Sequence, residues 1–237
     1  VQLPAPVTLF LLIRVIIHCN YIPLNEKKRI REIYSRLFQE FGRQYWWPGE
    51  TSFEVVVGAI LTQNTSWLNV ERAINNLKKR NLLTPLRLYR LKDKQLAQLI
   101  RPAGYFNIKA KRLAAFLDFL FSSYQGSLKK LFKESKDRLR SRLLEVYGIG
   151  PETADSIILY AAAKPIFVVD AYTKRIFSRH KLVSADADYH QVQDLFMQNL
   201  PLDTKLFNEY HALLVKLGKD VCKKNNPRCE SCPIGKI

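Results

Sequence analysis

A single carboxylate follows an apolar run in Phe167-Val168-Val169-Asp170-Ala171-Tyr172-Thr173. A fixed carboxylate can stabilise positive charge that develops beside it and can orient or deprotonate an attacking water. Asp170 also suits the N-cap of a helix over 171–179, and the two roles are compatible. Upstream, Leu143 to Asp155 reads as a helix end, the turn Gly148-Ile149-Gly150, and a new helix opening at Pro151. The glycines permit backbone angles closed to other residues and let an anion approach the N–H groups without a Cβ in the way. The start of the following helix adds the positive end of its dipole. Pro151 suits the first helical position, where its missing N–H is no loss, and Ile149 is expected to point inward. Such a turn holds a phosphate backbone without reading sequence, although an ordinary helix–turn–helix contact would look similar. Glu152 can line the mouth of a site, hold water near Asp170, or sit on the surface.

Three of the four cysteines, Cys222, Cys229 and Cys232, cluster near the end of the sequence, while Cys19 stands apart. Clustering of that kind suggests a metal site more than a disulfide framework, and with it a reducing compartment. The 38 Lys and Arg outnumber 21 Asp and Glu, giving a net charge of +17. An excess this large suits a polyanionic partner, nucleic acid or an anionic surface, although plain solubility would also account for it. The apolar run Val7 to Ile17, broken by Arg14, is too short to span a bilayer. No basic region precedes it and no clear cleavage site follows, which argues against a signal peptide. The sequence opens without Met, and residues 1–24 are read as an extension, from a fragment or a start set too far upstream.

The positioning elements read as helices. Ile30, Ile33, Tyr34, Leu37, Phe38 and Phe41 recur at three- and four-residue spacing up to Gly42. Tyr45-Trp46-Trp47-Pro48-Gly49 then makes a turn with two exposed-looking tryptophans. Ser52 is the expected cap of a helix over 53–61. Thr62-Gln63-Asn64-Thr65-Ser66 is a polar break ahead of a helix over 67–80. Further helices are expected over 91–100 and 108–121, then over 153–163, 171–179, 189–199 and 204–218. A basic stretch, Lys129 to Arg142, leads into the hairpin. Only Ile166–Val169 hints at a strand, and no βα repeat is present, so the fold class is all-α.

These residues together resemble the endonuclease III superfamily of DNA glycosylases. Gly148-Ile149-Gly150-Pro151-Glu152-Thr153-Ala154 followed by Val168-Val169-Asp170 looks like its helix-hairpin-helix, Gly/Pro-rich, aspartate signature, and the likeness runs from about residue 30 to the end. It implies two helical domains with the hairpin at their cleft: 44–164, six helices including the hairpin, and 25–43 plus 165–237, ending in a cysteine loop. It implies that Gln63 fills the hole left by an extruded nucleotide, and that Gly148, Ile149, Gly150 and Thr153 hold the DNA backbone. It implies that Asp170 is the catalytic carboxylate. Cys222-x6-Cys229-x2-Cys232 matches three ligands of the family's [4Fe–4S] cluster, whose fourth Cys would fall just beyond Ile237. Truncation is the expected reason, with zinc as the alternative metal.

Where strand-cleaving members carry a Schiff-base Lys, this sequence has Glu152, so the resemblance implies a monofunctional enzyme that stops at the abasic site. Glu152, the Trp46-Trp47-Pro48 turn and Leu61-Thr62-Gln63-Asn64-Thr65 most resemble the 3-methyladenine DNA glycosylase III branch. There Trp47, Pro48 and Trp67 would form the base pocket. A methylated purine is cationic, gains about 0.5–2 kcal/mol against an aromatic face, and leaves without a strong general acid. That agrees with the absence of a motif-linked His. The implied partner is double-stranded DNA containing a damaged base. No membrane role, a monomer, and a cytoplasmic, nucleoid-associated location are expected. The competing readings are an endonuclease III-like glycosylase/AP lyase, a mismatch uracil or thymine glycosylase, and a non-catalytic helix-hairpin-helix DNA-binding module.

Overall fold

The computed structural model describes residues 24–235 and 237, and every regular element among them is helical. The apolar run Val7–Ile17 and Cys19 lie outside the described residues. Helix α1 (Leu24–Phe41) buries Ile30, Ile33 and Leu37 and packs on α11 (Tyr189–Asn199) and α12 (Thr204–Asp220), bringing the two ends of the described chain together. Helix α2 (Ser52–Leu61) is apolar around most of its circumference, and everything from Phe53 to Leu61 is buried, as a central helix requires. Its buried Glu54 is paired with Lys78 at 2.8 Å. The cap of α2 is Thr51, whose side chain accepts from Glu54 N–H, one residue ahead of the expected Ser52. Among the described residues no helix is long and apolar enough to cross a membrane.

Helices α3 (Trp67–Lys79), α4 (Pro85–Tyr89), α5 (Asp93–Leu99) and α6 (Phe106–Tyr124) follow. The sequence reading missed α4, a single short turn capped by Thr84. The basic stretch forms α7 (Leu128–Leu131) and α8 (Lys136–Leu144), which keep Leu131, Leu139 and Leu143 inside. The helix expected over 153–163 is α9 (Pro151–Ser156), running straight into a π-helical turn, Ile157–Ala161. Such turns widen a helix locally and recur at functional sites.

The expected strand Ile166–Val169 is a buried segment outside regular structure, without a strand partner among the described residues. Its buried polar groups still need bonds, and α11 supplies them. Gln193 Nε2 donates to Phe167 O at 2.6 Å, and Val169 N–H donates to the Tyr189 hydroxyl at 3.4 Å. The segment delivers Asp170 to the start of α10 (Ala171–Arg179), which packs on α12.

Candidate active site

Asp170 caps α10. Its Oδ1 accepts from Thr173 N–H at 2.7 Å, which fixes the rotamer of the carboxylate and turns Oδ2 away from the helix. Oδ2 lies 3.7 Å from Nε2 of His211, and both side chains are largely withdrawn from solvent. His211, on α12, meets the Tyr160 hydroxyl through Nδ1 at 2.6 Å. Tyr160 belongs to the π-helical turn, and its ring lies 5.1 Å from that of Trp47. A continuous line of side chains therefore joins an aromatic cluster to the carboxylate. Glu152, in the first turn of α9, stands in the field of the same group. Burial and then the negative charge of Asp170 push its carboxyl up to about 7. Its own surface remains open to solvent, so water is not fully excluded from the carboxyl.

The sequence reading found no histidine for this site, and His211 corrects it. His211 is buried, with its imidazole pulled down by burial although the Asp170 charge acts the other way. It lies 41 residues after Asp170 on a separate helix, so only the packing of α12 against α10 brings the two together. Tyr160 was missed for the same reason. The one available signal was the polar His inside the otherwise apolar stripe of α12.

Trp46 and Trp47 are half-buried, contrary to the exposed turn expected. Trp47 meets Trp67 edge to face at 5.1 Å, and Trp46 meets Trp47 at 5.4 Å and Trp67 at 6.1 Å. Aromatic rings prefer such tilted contacts when nothing separates them. A flat guest between two parallel faces needs about 7 Å, so Trp47 and Trp67 do not frame an open slot, and a ring must turn to admit one. Glycine at 58 matters here, because a Cβ would meet both Trp47 and Trp67 at 3.3–3.5 Å. The indole N–H groups of Trp46 and Trp47 are buried without partners. Pro48 is exposed at the edge of the cluster, and Lys219 lies 5.8 Å over the Trp46 ring.

The hairpin presents Gly150 openly, and nothing lies within 4 Å of where its Cβ would stand. Ile149 is buried beneath it. Gly148 has φ +80 and covers Arg112, whose Cγ would lie 2.3 Å from an added Cβ. The N–H groups of Glu152 and Thr153 precede the first bond of α9, from Ala154 N–H to Gly150 O at 2.9 Å, and are the unpaired donors that every helix start carries. The Thr153 side chain is not among the open groups. It is buried, and its hydroxyl accepts from Gln63 Nε2 at 2.9 Å. Gln63 Nε2 also donates to Gly148 O at 2.9 Å, and its Oε1 accepts from Arg112. Gln63, expected to fill the vacancy left by an extruded nucleotide, is here tied to the hairpin, because its loop and the turn lie side by side.

Lys109 is buried, with its ammonium donating to Leu61 O and Ala103 O at 2.8 Å each and pulled down to about 8 by burial and then by Arg112. It braces the end of α2 ahead of the Gln63 loop. Its amine is engaged on two carbonyls.

Cys222 is buried, Cys229 exposed and Cys232 half-buried. Among the described residues no group of three or more His, Cys, Asp and Glu side chains is gathered closely enough to hold a metal ion. The three cysteines nevertheless line one cavity of about 450 Å3 with Arg29, Arg179 and Arg228. Arg179 donates to Cys222 Sγ at 3.3 Å, and Arg175 braces Cys222 O at 2.8 Å. Soft thiol donors around one cavity, ringed by guanidinium groups, fit a thiolate-held group of negative charge.

Residues 57–202 match the family described as HhH-GPD superfamily base excision DNA repair protein. A Methanocaldococcus jannaschii protein, provisionally named a DNA repair glycosylase, is 49% identical over 212 residues, covering 89% of this chain and 96% of the relative. The structure of Helicobacter pylori 3-methyladenine DNA glycosylase (MagIII) bound to 1,N6-ethenoadenine superposes with a TM-score of 0.70 at 28% identity, over 82% of this chain and 97% of that one. A trapped endonuclease III–DNA covalent intermediate gives a TM-score of 0.76 at 22% identity, over 88% and 93% of the two chains, and shares the fold.

Proposed function

We propose that this chain, which belongs to the HhH-GPD superfamily of base excision DNA repair proteins and is a DNA glycosylase of that superfamily, excises an alkylated, 3-methyladenine-like purine from double-stranded DNA and leaves the strand intact. The observation that carries this reading is the line from the Trp46–Trp47–Trp67 cluster through Tyr160 and His211 to the free Oδ2 of Asp170. It joins a place for a flat, electron-poor base to a carboxylate suited to its sugar. In this reading the duplex lies across a cleft between residues 44–164 and a second lobe of 25–43 with 165–237. The Gly148–Gly150 hairpin holds a phosphate. Extrusion costs about a few kcal/mol, and Gln63 offsets part of that by leaving the hairpin to bond the orphaned base.

The chemistry then needs little acid help. A methylated purine already carries positive charge, so when the C1′–N bond breaks, the bonding electrons neutralise it and it departs as a neutral base. Positive charge passes to the sugar, where Asp170 stabilises it. Water adds to C1′ and loses its proton to a carboxylate, Asp170 or Glu152. No amine stands at position 152 to form a Schiff base, which supports a reaction that stops at the abasic site. Cys222, Cys229 and Cys232 would supply three of the four thiolates of a [4Fe–4S] cluster, which would cross-link the C-terminal loop beside Lys223 and Lys224.

One assay tests the reading. Duplexes carrying 1,N6-ethenoadenine, U:G or T:G, together with dimethyl sulfate-methylated DNA, are incubated with the protein and scored for free base and for strand breaks with and without alkali. Release of alkylated purine, with breaks only after alkali, is the expected result. Breaks without alkali would overturn the monofunctional reading. Preferential release of uracil or thymine would overturn the lesion class, and release of nothing would leave a DNA-binding module.

A further inference from the structure

The contact between Asp170 and His211 is incomplete in an informative way. Oδ1 of Asp170 is committed to the helix cap. Oδ2 faces Nε2 of His211 at 3.7 Å, beyond hydrogen-bond range by a few tenths of an ångström. That Nε2 is buried and has no hydrogen-bond partner among the described residues. A buried, unpartnered ring nitrogen beside a carboxylate is an expensive arrangement unless a bond forms at some stage of the protein's work.

The tautomer follows from the other side of the ring. Burial, and then the charge of Asp170, hold the Tyr160 hydroxyl well above its usual range, so it keeps its proton. The 2.6 Å contact allows either direction, and donation by the hydroxyl to His211 Nδ1 is the one that puts a hydrogen, and not a lone pair, on the Nε2 facing the carboxylate. A ring that accepts at Nδ1 carries its hydrogen on Nε2 when neutral, and burial favours the neutral ring. The Nε2–H group thus points at the oxygen that the cap leaves free. Among the described residues, the charges acting on this cluster are those of Asp170 and, on Tyr160, Glu152.

We propose that His211 is a positioning residue for the glycosylase reaction: its Nε2–H, fixed in that tautomer by Tyr160, closes on Oδ2 of Asp170 when a damaged nucleotide is bound. With the Thr173 amide on Oδ1 and His211 on Oδ2, both carboxylate oxygens are then held, and the group presents its remaining lone pairs to the sugar in one orientation. Contacts of this kind are often long in the free enzyme and shorten in the complex. The Tyr160 ring rests against Trp47 at 5.1 Å, so the aromatic cluster that receives the base also supports the group that sets the tautomer. The inference rests on the reading that Asp170 is the catalytic carboxylate.

Single-turnover excision tests it, on a duplex bearing one 1,N6-ethenoadenine or, should the parent protein leave that base in place, on dimethyl sulfate-methylated DNA. His211→Leu is expected to lose ~10²-fold in rate, as a misplaced reacting group does, while affinity for a duplex with a tetrahydrofuran abasic site stays within about twofold. His211→Gln, whose amide can reach the same oxygen, is expected to recover to within about tenfold of the parent. Tyr160→Phe, which frees the tautomer, should fall between them. A rate for His211→Leu within about threefold of the parent overturns the proposal. Equal losses in the Leu and Gln variants also overturn it, because they mean that the ring only fills space. Nitrogen-15 NMR of the unmodified protein gives a second reading that needs no variant: hydrogen on Nδ1 of His211 in place of Nε2 would sink the assignment. Asp170→Asn, run beside these, separates the layers. Normal turnover in that variant removes the catalytic reading itself, whereas a silent Asp170→Asn with a normal His211→Leu removes only the present inference.

Discussion

Two carboxylates fifteen residues apart in sequence are treated in opposite ways by this fold. Asp155, on α9, has no exposed surface, and each of its oxygens is bonded. Arg140 reaches it at 2.8 and 3.2 Å, the Tyr189 hydroxyl at 2.8 Å and Gln193 Nε2 at 2.7 Å. Tyr189 and Gln193 also hold Val169 N and Phe167 O, so Asp155 braces the segment that delivers Asp170. Asp170 itself has one oxygen bonded and one left over. A carboxylate with both oxygens bonded is a bracket, and one held by a single oxygen is held ready. The difference separates stability from chemistry within one connected network, and substitutions should pull the two apart.

The largest effect is expected at the bracket. Asp155→Ala strands Arg140, Tyr189 and Gln193 in a buried setting and should cost about 3–5 kcal/mol of stability, read as a shift of the denaturant midpoint. Excision per folded molecule should change far less. Asp170→Asn should do the reverse. Asn caps a helix about as well as Asp, so the midpoint should hardly move, while the excision rate falls ~10²-fold or more, about 2.7 kcal/mol of barrier. Parallel losses of stability in both variants would erase the distinction.

A third region sharpens the comparison by mixing the two roles. Gly148→Ala forces a side chain onto a φ of +80 and into Arg112. About 1–2 kcal/mol of stability should be lost. Arg112 also holds Gln63, so affinity for an abasic duplex should weaken roughly tenfold. Unchanged affinity with lowered stability would confine Gly148 to folding.

Much of this was legible in the sequence, and the rest was not for identifiable reasons. The long helices α1, α10 and α11 follow from apolar spacing and from caps whose side chains bond locally, Asp170 and Asp188 among them. The hairpin was readable because Gly148 and Gly150 answer backbone demands that are local. The segment 166–169 misled because a run of β-branched residues signals burial as well as pairing, and its partners are side chains of α11. The contact between Gln63 and Thr153 was not legible because the two lie 90 residues apart, a distance that no periodicity encodes. His211 and Tyr160 belong to the same category, 51 residues apart. Beyond the one polar His in the apolar stripe of α12, nothing local marks residues whose role depends on how the π-helical turn, α10 and α12 converge.

The smallest expected effect concerns the carboxyl beside Asp170. Glu152 is pushed up to about 7 from 4.5 by burial and by the Asp170 charge. A carboxyl raised in the folded state binds its proton more tightly there than in the unfolded chain. Its contribution to stability is therefore fully present below pH 4.5, fades as pH rises toward 7, and is absent above that. Because the side chain is partly open to solvent, the change should be slight and screened by salt. Glu152→Gln removes the titration, so the variant and the parent should melt together near pH 4 and the variant should melt higher near pH 8. The gap should shrink when Asp170→Asn is added, since one of its two causes is then gone. The comparison of carboxylates makes this the decisive control: Asp155, neutralised by Arg140, is too far committed to exert that push, whereas Asp170 is not. A melting gap between Glu152→Gln and the parent that ignores pH, or that survives Asp170→Asn unchanged, would mean that the Asp170 carboxylate does not project its charge onto Glu152.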